Sequence, residues 1–385
     1  MNDILAQVSA EKASTEEFFK HIHAHPELAF EESGTAKYIA EKLRAWGYEV
    51  VEGIGKTGVV ARMKVGDGKA SIGLRADTDA LPVEEAADLD YKSTVPGKSH
   101  MCGHDAHAAM LLGAAEYLAK NKNFNGTLNL VFQPAEEIMG GAVAMLKDGL
   151  LEKFPMDRIF GMHNMPSLPT GVLYLTEGPI MAAVDNWEIV LTGKGSHGSM
   201  PEKSIDPVVA GSALVMALQT IVSRNVAPMD AAVVSVGAFL AGDAGNVIPQ
   251  TATLRMSTRT RKPETRLMVL DKIRSITKAI AEAYNVTYEI NEGQPGAVLV
   301  NEPEQTRECV RISQEVFGEE SVVCPGPTFM GSEDFAFFAQ KIPGTYVFIG
   351  NGDTPMVHHP EYVFDINNLP RGVAYWVAIA QNFLK

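Results

Sequence analysis

Residues 185–295 carry apolar and turn-forming segments in the order strand, helix, strand, strand, helix, strand, which closes a four-stranded sheet beneath two helices without help from flanking chain. The strands are expected at 187–191, 232–239, 251–258 and 286–290, and the helices at 207–223 and 264–284. The flanking sequence runs differently. Amphipathic runs at 14–23 and 35–46 precede β-rich runs at 71–75 and 127–132, which enclose a helix at 106–120. Beyond the turn-rich Glu292-Gly293-Gln294-Pro295-Gly296, a helix at 304–317, a strand at 344–349 and a closing helix at 369–384 resume the alternation. Strand, helix, strand at this spacing predicts crossover helices on a mainly parallel sheet, because parallel neighbours cannot be joined by a tight turn. The expected fold class is therefore α/β: a discontinuous catalytic domain of residues 1–184 and 296–385 with a mixed, mostly parallel sheet flanked by helices, plus an inserted ferredoxin-like βαββαβ lid at 185–295. Hinges near Ala183 and Gly296 would let that lid rotate.

At 385 residues the chain exceeds what one hydrophobic core usually serves, at roughly 150 residues per domain. Hydrophobic residues make up 46% and charged residues 21%, as in an ordinary globular protein, so neither disorder nor a membrane protein is expected. A formal charge of −14 argues against nucleic acid, since affinity for a phosphate backbone comes from lysines and arginines that displace counterions. No run of about 18 to 20 uninterrupted apolar residues stands out as a membrane span, and Met1-Asn2-Asp3 opens with an acid in place of a basic leader. The expected location is the cytoplasm. The three cysteines, Cys102, Cys309 and Cys324, are too few for a disulfide framework. Cys309, on a helical pattern, reads as a small buried hydrophobe, and Cys102 is the exception.

Cys102 stands in Met101-Cys102-Gly103-His104-Asp105-Ala106-His107, and Gln133-Pro134-Ala135-Glu136-Glu137 follows further on. Gly161-Met162-His163-Asn164 and Val357-His358-His359-Pro360 add imidazoles that are expected just after strands. Thiolate, imidazole and carboxylate are the donors zinc and related ions take, and donors scattered along the chain suit a catalytic centre better than a structural zinc loop, whose ligands cluster in sequence. Cys102 and His104, separated by a glycine, can reach one ion from one loop. A Cys102 thiolate shared by two ions would leave Glu137 and His104 for one and His163 and His358 for the other. The glutamate pair is expected to end a strand, where side chains alternate in direction, so Glu137 can ligate while Glu136 faces the reacting water as base. A metal-dependent hydrolase is the reading. His21, His23 and His25 alternate along a helix and so face different sides, which predicts a solvated or structural role.

Several stretches, in one order over nearly the whole chain, resemble the M20 amidohydrolases: Arg75-Ala76-Asp77-Thr78-Asp79-Ala80-Leu81-Pro82, Met101 to Asp105, Gln133 to Glu137, His163-Asn164, Gly198-Ser199-Met200-Pro201 and Gly331-Ser332-Glu333-Asp334-Phe335. The similarity is nearest to the branch of hippurate hydrolases, N-acyl-amino-acid amidohydrolases and auxin-conjugate hydrolases. It implies metal ligands at Cys102, His104, Glu137, His163 and His358, a general base at Glu136, and supporting acids at Asp77 and Asp79. Glu333 and Asp334 are expected to be supporting or structural groups. The resemblance also implies that His197, in Gly195-Ser196-His197-Gly198, reaches a catalytic centre, often that of a partner subunit, to hold the oxyanion or substrate. Asn246 and Arg259 are the other lid residues expected to touch substrate, since a guanidinium can grip a free carboxylate with two parallel hydrogen bonds.

Two departures from the family stand out. The late motif usually reads His-Asn-Pro, whereas this chain has His358-His359-Pro360; counting back from Tyr362-Val363-Phe364 selects His358, with His359 as competitor. Met200-Pro201-Glu202 replaces a segment where relatives often carry Ala and a further imidazole, which bears on the pocket wall. The implied reaction is hydrolysis of the amide bond of N-acyl or N-aroyl amino acids, using two divalent ions per subunit drawn from Zn, Mn, Co or Ni, which mixed donors accommodate. The expected partners are a small-molecule N-acyl amino acid and copies of the chain in a homodimer or homotetramer through the lid. A dipeptidase or aminopeptidase on the same metals is the alternative. From a different class comes a non-catalytic metal-binding assembly protein.

Overall fold

The computed structural model describes residues 4–385, so the acidic opening Met1-Asn2-Asp3 lies outside the described residues. The chain divides into two compact units. One runs up to Gly178 and takes in Val300–Thr328 and Asp334–Lys385; the other comprises Pro179–Leu299 and Phe329–Glu333.

The first unit is built on an eight-stranded sheet in the order Glu49–Ile54, Gly58–Val65, Gly126–Gln133, Ser71–Asp77, Arg158–Met165, Gly344–Gly350, Leu173–Tyr174 and Val322–Val323. Its four middle strands, from Gly126–Gln133 to Gly344–Gly350, are mutually parallel. They are apolar on both faces, with Ile72, Leu74, Leu128, Leu130, Val347 and Ile349 buried, as a sheet covered on both sides requires. Glu49–Ile54 and Gly58–Val65, which the sequence reading did not pick out, add an antiparallel hairpin at one edge. Helix His104–Asn121 is buried on nearly every side and packs against helices Lys12–Ala24 and Leu369–Phe383. Small residues allow that approach: a Cβ on Gly113 would lie 2.5 Å from Thr15 Oγ1 and 2.8 Å from Val373 Cγ2.

The second unit holds a four-stranded antiparallel sheet in the order Ala232–Leu240, Thr251–Thr260, Ala183–Thr192 and Thr287–Glu292, the ferredoxin-like arrangement. Along Ala183–Thr192 the buried Trp187, Ile189 and Leu191 alternate with more exposed neighbours, so one face carries the core with helices Pro207–Asn225 and Pro263–Tyr284. Asp206 caps the first of these helices by accepting from Val208 N at 2.8 Å and Val209 N at 3.3 Å, with Pro207 at the first helical position. By length and composition Pro207–Asn225 is long and apolar enough to cross a membrane, a stretch the sequence reading passed over. Here it lays Ala210, Leu214, Leu218 and Ile221 into the core of its unit.

His23 is buried, with Nδ1 at 2.6 Å from Asp105 Oδ2 and Nε2 at 3.1 Å from Glu85 Oε1. It thereby ties helix Lys12–Ala24 to the first turn of helix His104–Asn121. Burial opposes a charge on the ring, but the two carboxylates outweigh it and raise the pKa to about 9. Because the folded value lies above the unfolded value of about 6.5, this stabilisation is full below pH 6.5 and disappears as pH rises through about 9. We expect His23→Gln to lose about 2–3 kcal/mol at pH 6.5, read as a lower melting temperature, and the gap to the parent to close towards pH 10. An equal gap at both pH values would mean that the pair is not charged.

Candidate metal centre

The carboxyl ends of the parallel strands and the loops beyond them supply the chemically active side chains, as is usual in open α/β sheets. Asp77 ends its strand, Glu136 and Glu137 follow Gly126–Gln133, His163 projects from Arg158–Met165, and His358 lies in the loop after Gly344–Gly350. His163 thus sits inside its strand and not after it. A second correction concerns the glutamates. The strand stops at Gln133, Pro134 has no N–H with which to continue a ladder, Ala135 takes a left-handed φ of 53°, and Glu136 and Glu137 stand in a turn. From that turn both carboxylates reach His104 Nε2, at 4.0 Å for Glu136 Oε2 and 3.9 Å for Glu137 Oε1, so strand pleating does not separate them.

Gly103 cannot be another residue without rearrangement. Its φ is 88°, and a Cβ would meet Asn164 Nδ2 at 2.3 Å and Tyr362 Oη at 2.6 Å. The helix starts at the next residue, His104, whose Nδ1 donates towards Asp79 O at 3.0 Å and Asp79 Oδ1 at 3.2 Å. That leaves Nε2 as the lone-pair nitrogen. It is buried without a hydrogen-bond partner, 3.7 Å from Asp77 Oδ2, 3.9 Å from Glu137 Oε1 and 4.0 Å from Glu136 Oε2. Burial disfavours a charged ring, yet Asp77, Cys102 and Asp79 hold its proton affinity well above the ordinary value. Such a ring faces several carboxylates at once.

His163 behaves oppositely: burial and the neighbouring His107 and His104 keep it neutral, well below the usual imidazole range. Its Nδ1 donates to Asn164 O at 2.5 Å and its Nε2 faces Cys102 Sγ at 3.4 Å. Burial and the charge of Glu137 push the Cys102 thiol well above its usual range, so its ionisation calls for a cation. Glu137 N donates to Asp79 Oδ2 at 3.0 Å, while Glu137 Oε1 is buried without a partner and Oε2 lies 3.4 Å from His358 Nε2. His358 holds a left-handed φ of 71° and its N–H donates to Met101 O at 2.6 Å. His359 turns to its own loop, where Nδ1 accepts from Glu361 N at 3.1 Å.

Among the sets of donor atoms that lie within 4.8 Å of one another, three hold the expected residues: Cys102, His104 and His163; Cys102, Glu137 and His358; His104, Glu136 and Glu137. The five residues expected as ligands and the expected base therefore form one connected cluster, with Cys102 in two of its sets. Orphaned His104 Nε2 and Glu137 Oε1 beside a soft sulfur donor are the donor set a divalent metal takes.

Of the frame beneath this cluster, the sequence reading named Asp77 and Asp334 as supporting groups but gave no role to Arg75, His107, Asn164 or Tyr362. Fully buried Arg75 donates to Asp77 Oδ2 at 2.8 Å, Gln133 Oε1 at 2.8 Å and Asp334 Oδ1 at 3.1 Å. Asp77 Oδ1 takes the His107 Nδ1 proton at 2.6 Å, so His107 Nε2 accepts from Asn164 N at 3.0 Å. Asn164 Nδ2 then donates to Cys102 O at 2.7 Å, and Tyr362 Oη donates to Asn164 Oδ1 at 2.7 Å. Burial alone would raise the Asp77 pKa, but His104, Arg75 and His107 hold it well below the carboxylate range. With both nitrogens engaged, His107 orients Asn164. An arginine inside an otherwise apolar strand, Ile72-Gly73-Leu74-Arg75-Ala76, was the available signal for this frame.

His197, Asn246 and Arg259 belong to the second unit. His197 and Asn246 are neighbours on a ribbon of Ser196–His197 and Val247–Ile248, where Gly198 N donates to Asn246 O at 2.7 Å. His197 Nδ1 accepts from Ser199 N at 3.1 Å, which leaves its proton on Nε2. Arg259 Nη1 donates to Met330 O at 2.9 Å.

A parallel α/β sheet that gathers thiol, imidazoles and carboxylates around one shared sulfur, with a further glutamate alongside, is the architecture of a metal-dependent hydrolase. Residues 73–382 match peptidase family M20/M25/M40, and the chain belongs to it. It is 48% identical to hippurate hydrolase of Campylobacter jejuni over 94% of this chain and 95% of that one. It is 37% identical to N-acetylcysteine deacetylase of Bacillus subtilis over 94% of each. Among solved structures it is similar to the Bacillus subtilis YXEP protein, a dinuclear metal binding peptidase from the M20 family, with a TM-score of 0.85, 34% identity and coverage of 98% and 99%.

We expect Gly103→Ala to lower both melting temperature and metal content, because the added Cβ displaces Asn164 or Tyr362 and a left-handed alanine costs about 1–2 kcal/mol. Parent-like values of both would mean that this turn tolerates a side chain.

Proposed function

We propose that the chain is an amidohydrolase that cleaves the amide bond of N-acyl or N-aroyl amino acids, releasing a carboxylic acid and a free amino acid. The observation that carries the reading is Cys102 Sγ, which lies within 4.8 Å of ligand atoms in two separate sets, next to a glutamate that neither of those sets uses. Hippurate and N-acetylcysteine, named in the two relatives, share an acylated amino acid, which supports this substrate class.

In this reading Cys102, His104 and His163 would hold one divalent ion, and Cys102, Glu137 and His358 a second, from Zn, Mn, Co or Ni; the donor atoms group this way, and not with Glu137 beside His104 and His163 beside His358 as the sequence suggested. When bound, such ions would polarise the amide carbonyl and lower the pKa of water from about 15.7 to about 7. Glu136 takes a proton from the attacking water and hands it to the departing nitrogen, a transfer suited to a buried carboxylate whose Oε2 lies 4.0 Å from His104 Nε2. Asp79 orients His104 through Nδ1 and fixes the Glu137 amide, so one acid sets two ligands. His197 offers an Nε2 proton to the carbonyl oxygen as negative charge builds there, and Asn246 and Arg259 grip the substrate carboxylate. The lid of residues 185–295 carries these three groups, and the proposed form of the enzyme is a cytoplasmic homodimer or homotetramer.

Glu136→Gln should retain metal and fold while turnover drops at least about a hundredfold; near-normal turnover would remove Glu136 from the mechanism. His358→Ala should lose metal while His359→Ala keeps it, and the reverse result transfers the ligand role to His359. On benzoyl-glycine, acetyl-methionine and Leu-Gly the metal-loaded enzyme should prefer the first two. Preference for Leu-Gly would establish a dipeptidase, and no turnover on a broad acyl-amino-acid panel would favour a non-catalytic metal-binding protein.

A further inference from the structure

Helix Ser33–Ala45 starts behind Glu32, but the Glu32 side chain makes no capping hydrogen bond to the first-turn amides. Capping by such a side chain stabilises a helix by about 1 kcal/mol, and here that gain is forgone. The carboxylate is instead 1% exposed and reaches a distant loop, where Oε1 accepts from Ala135 N at 2.9 Å. Its other oxygen accepts from Thr57 Oγ1 at 2.5 Å.

Ala135 is an unusual recipient. It is wholly buried with a φ of 53°, a conformation that alanine adopts only where its surroundings enforce it. Its carbonyl accepts from Gly140 N and Gly141 N at 3.1 Å each, so both of its backbone polar groups are engaged. The loop is fastened twice more, by Asp79 Oδ2 on Glu137 N at 3.0 Å and Asp334 Oδ2 on Ala142 N at 2.9 Å. Of these three buried acids, Glu32 grips the residue immediately before Glu136.

We infer that Glu32 is a positioning residue for Glu136: by clamping the Ala135 amide it fixes the left-handed turn from which Glu136 reaches to 4.0 Å from His104 Nε2. This inference rests on the reading of Glu136 as the proton carrier. Glu32 does not touch the reacting atoms; it acts through the backbone of Ala135, and Thr57 keeps its carboxylate in line.

The test compares metal-loaded Glu32→Ala, Glu32→Gln, Thr57→Val and the double variant Glu32→Ala/Ala135→Gly, with Glu136→Gln as control. Glu32→Ala should keep metal stoichiometry and a KM within about twofold of the parent, while kcat falls about 10- to 100-fold, as a displacement near 1 Å suffices to do. Glutamine still offers an oxygen to the Ala135 amide and should restore most of the loss. Glycine takes positive φ without a Cβ penalty, so the double variant should recover part of it. Thr57→Val, which removes one donor only, is expected to fold and to lose about fivefold in kcat.

A Glu32→Ala enzyme with kcat within twofold of the parent, a loss that tracks metal content, or a loss that neither glutamine nor glycine relieves would overturn the inference. Should Glu32→Ala not fold, an unchanged kcat in Thr57→Val overturns it as well. Full activity of Glu136→Gln would instead bring down the underlying reading, and the control separates the two failures.

Discussion

A buried crowd of acids and one thiol, only partly balanced by Arg75 and the neighbouring imidazoles, is the constraint on which the first unit depends. Asp77, Asp79, Glu136, Glu137 and the Cys102 thiol converge at one end of the parallel strands. Arg75 compensates Asp77 and Asp334 from below. Above it, His104 Nε2 and Glu137 Oε1 have no hydrogen-bond partner, although unpaired polar groups in a protein interior cost about 1–3 kcal/mol each. A divalent cation would discharge both debts, and it would turn the thiol into a thiolate where the apo pocket opposes ionisation.

The remainder of the unit holds that cluster in shape. A line of hydrogen bonds runs from Arg75 through Asp77, His107 and Asn164 to the carbonyl of Cys102, with Tyr362 bracing Asn164 from the far end of the chain. Helix His104–Asn121 sets the position of His104, and His23 anchors the first turn of that helix through Asp105. The left-handed residues Ala135 and His358 lie beside the two glutamates and in the loop after Gly344–Gly350, where strain is tolerated because hydrogen bonds over-determine the backbone.

Much of this was legible in the sequence, for identifiable reasons. The order of strands and helices predicted the α/β class, the parallel centre and the ferredoxin-like topology because hydrophobic period and turn residues are local signals. Cys102 and His104 announced a shared loop through their spacing. The edge hairpin Glu49–Ile54 and Gly58–Val65 escaped because its mixture of glycine, charge and valine has no clean alternation. Glu32, Arg75 and Tyr362 escaped for another reason: their partners lie 103, 259 and 198 residues away, and no periodicity records a contact of that kind. The assumption that Glu136 and Glu137 end a strand failed because Pro134 and the left-handed Ala135 break the ladder first.

Anomalous diffraction from crystals of the metal-loaded protein would test the central claim most directly, since it locates ions without relying on activity. The account predicts two peaks per chain, each about 2.3 Å from Cys102 Sγ if zinc is bound. A single peak, or peaks that leave Cys102 without a metal neighbour, would contradict it.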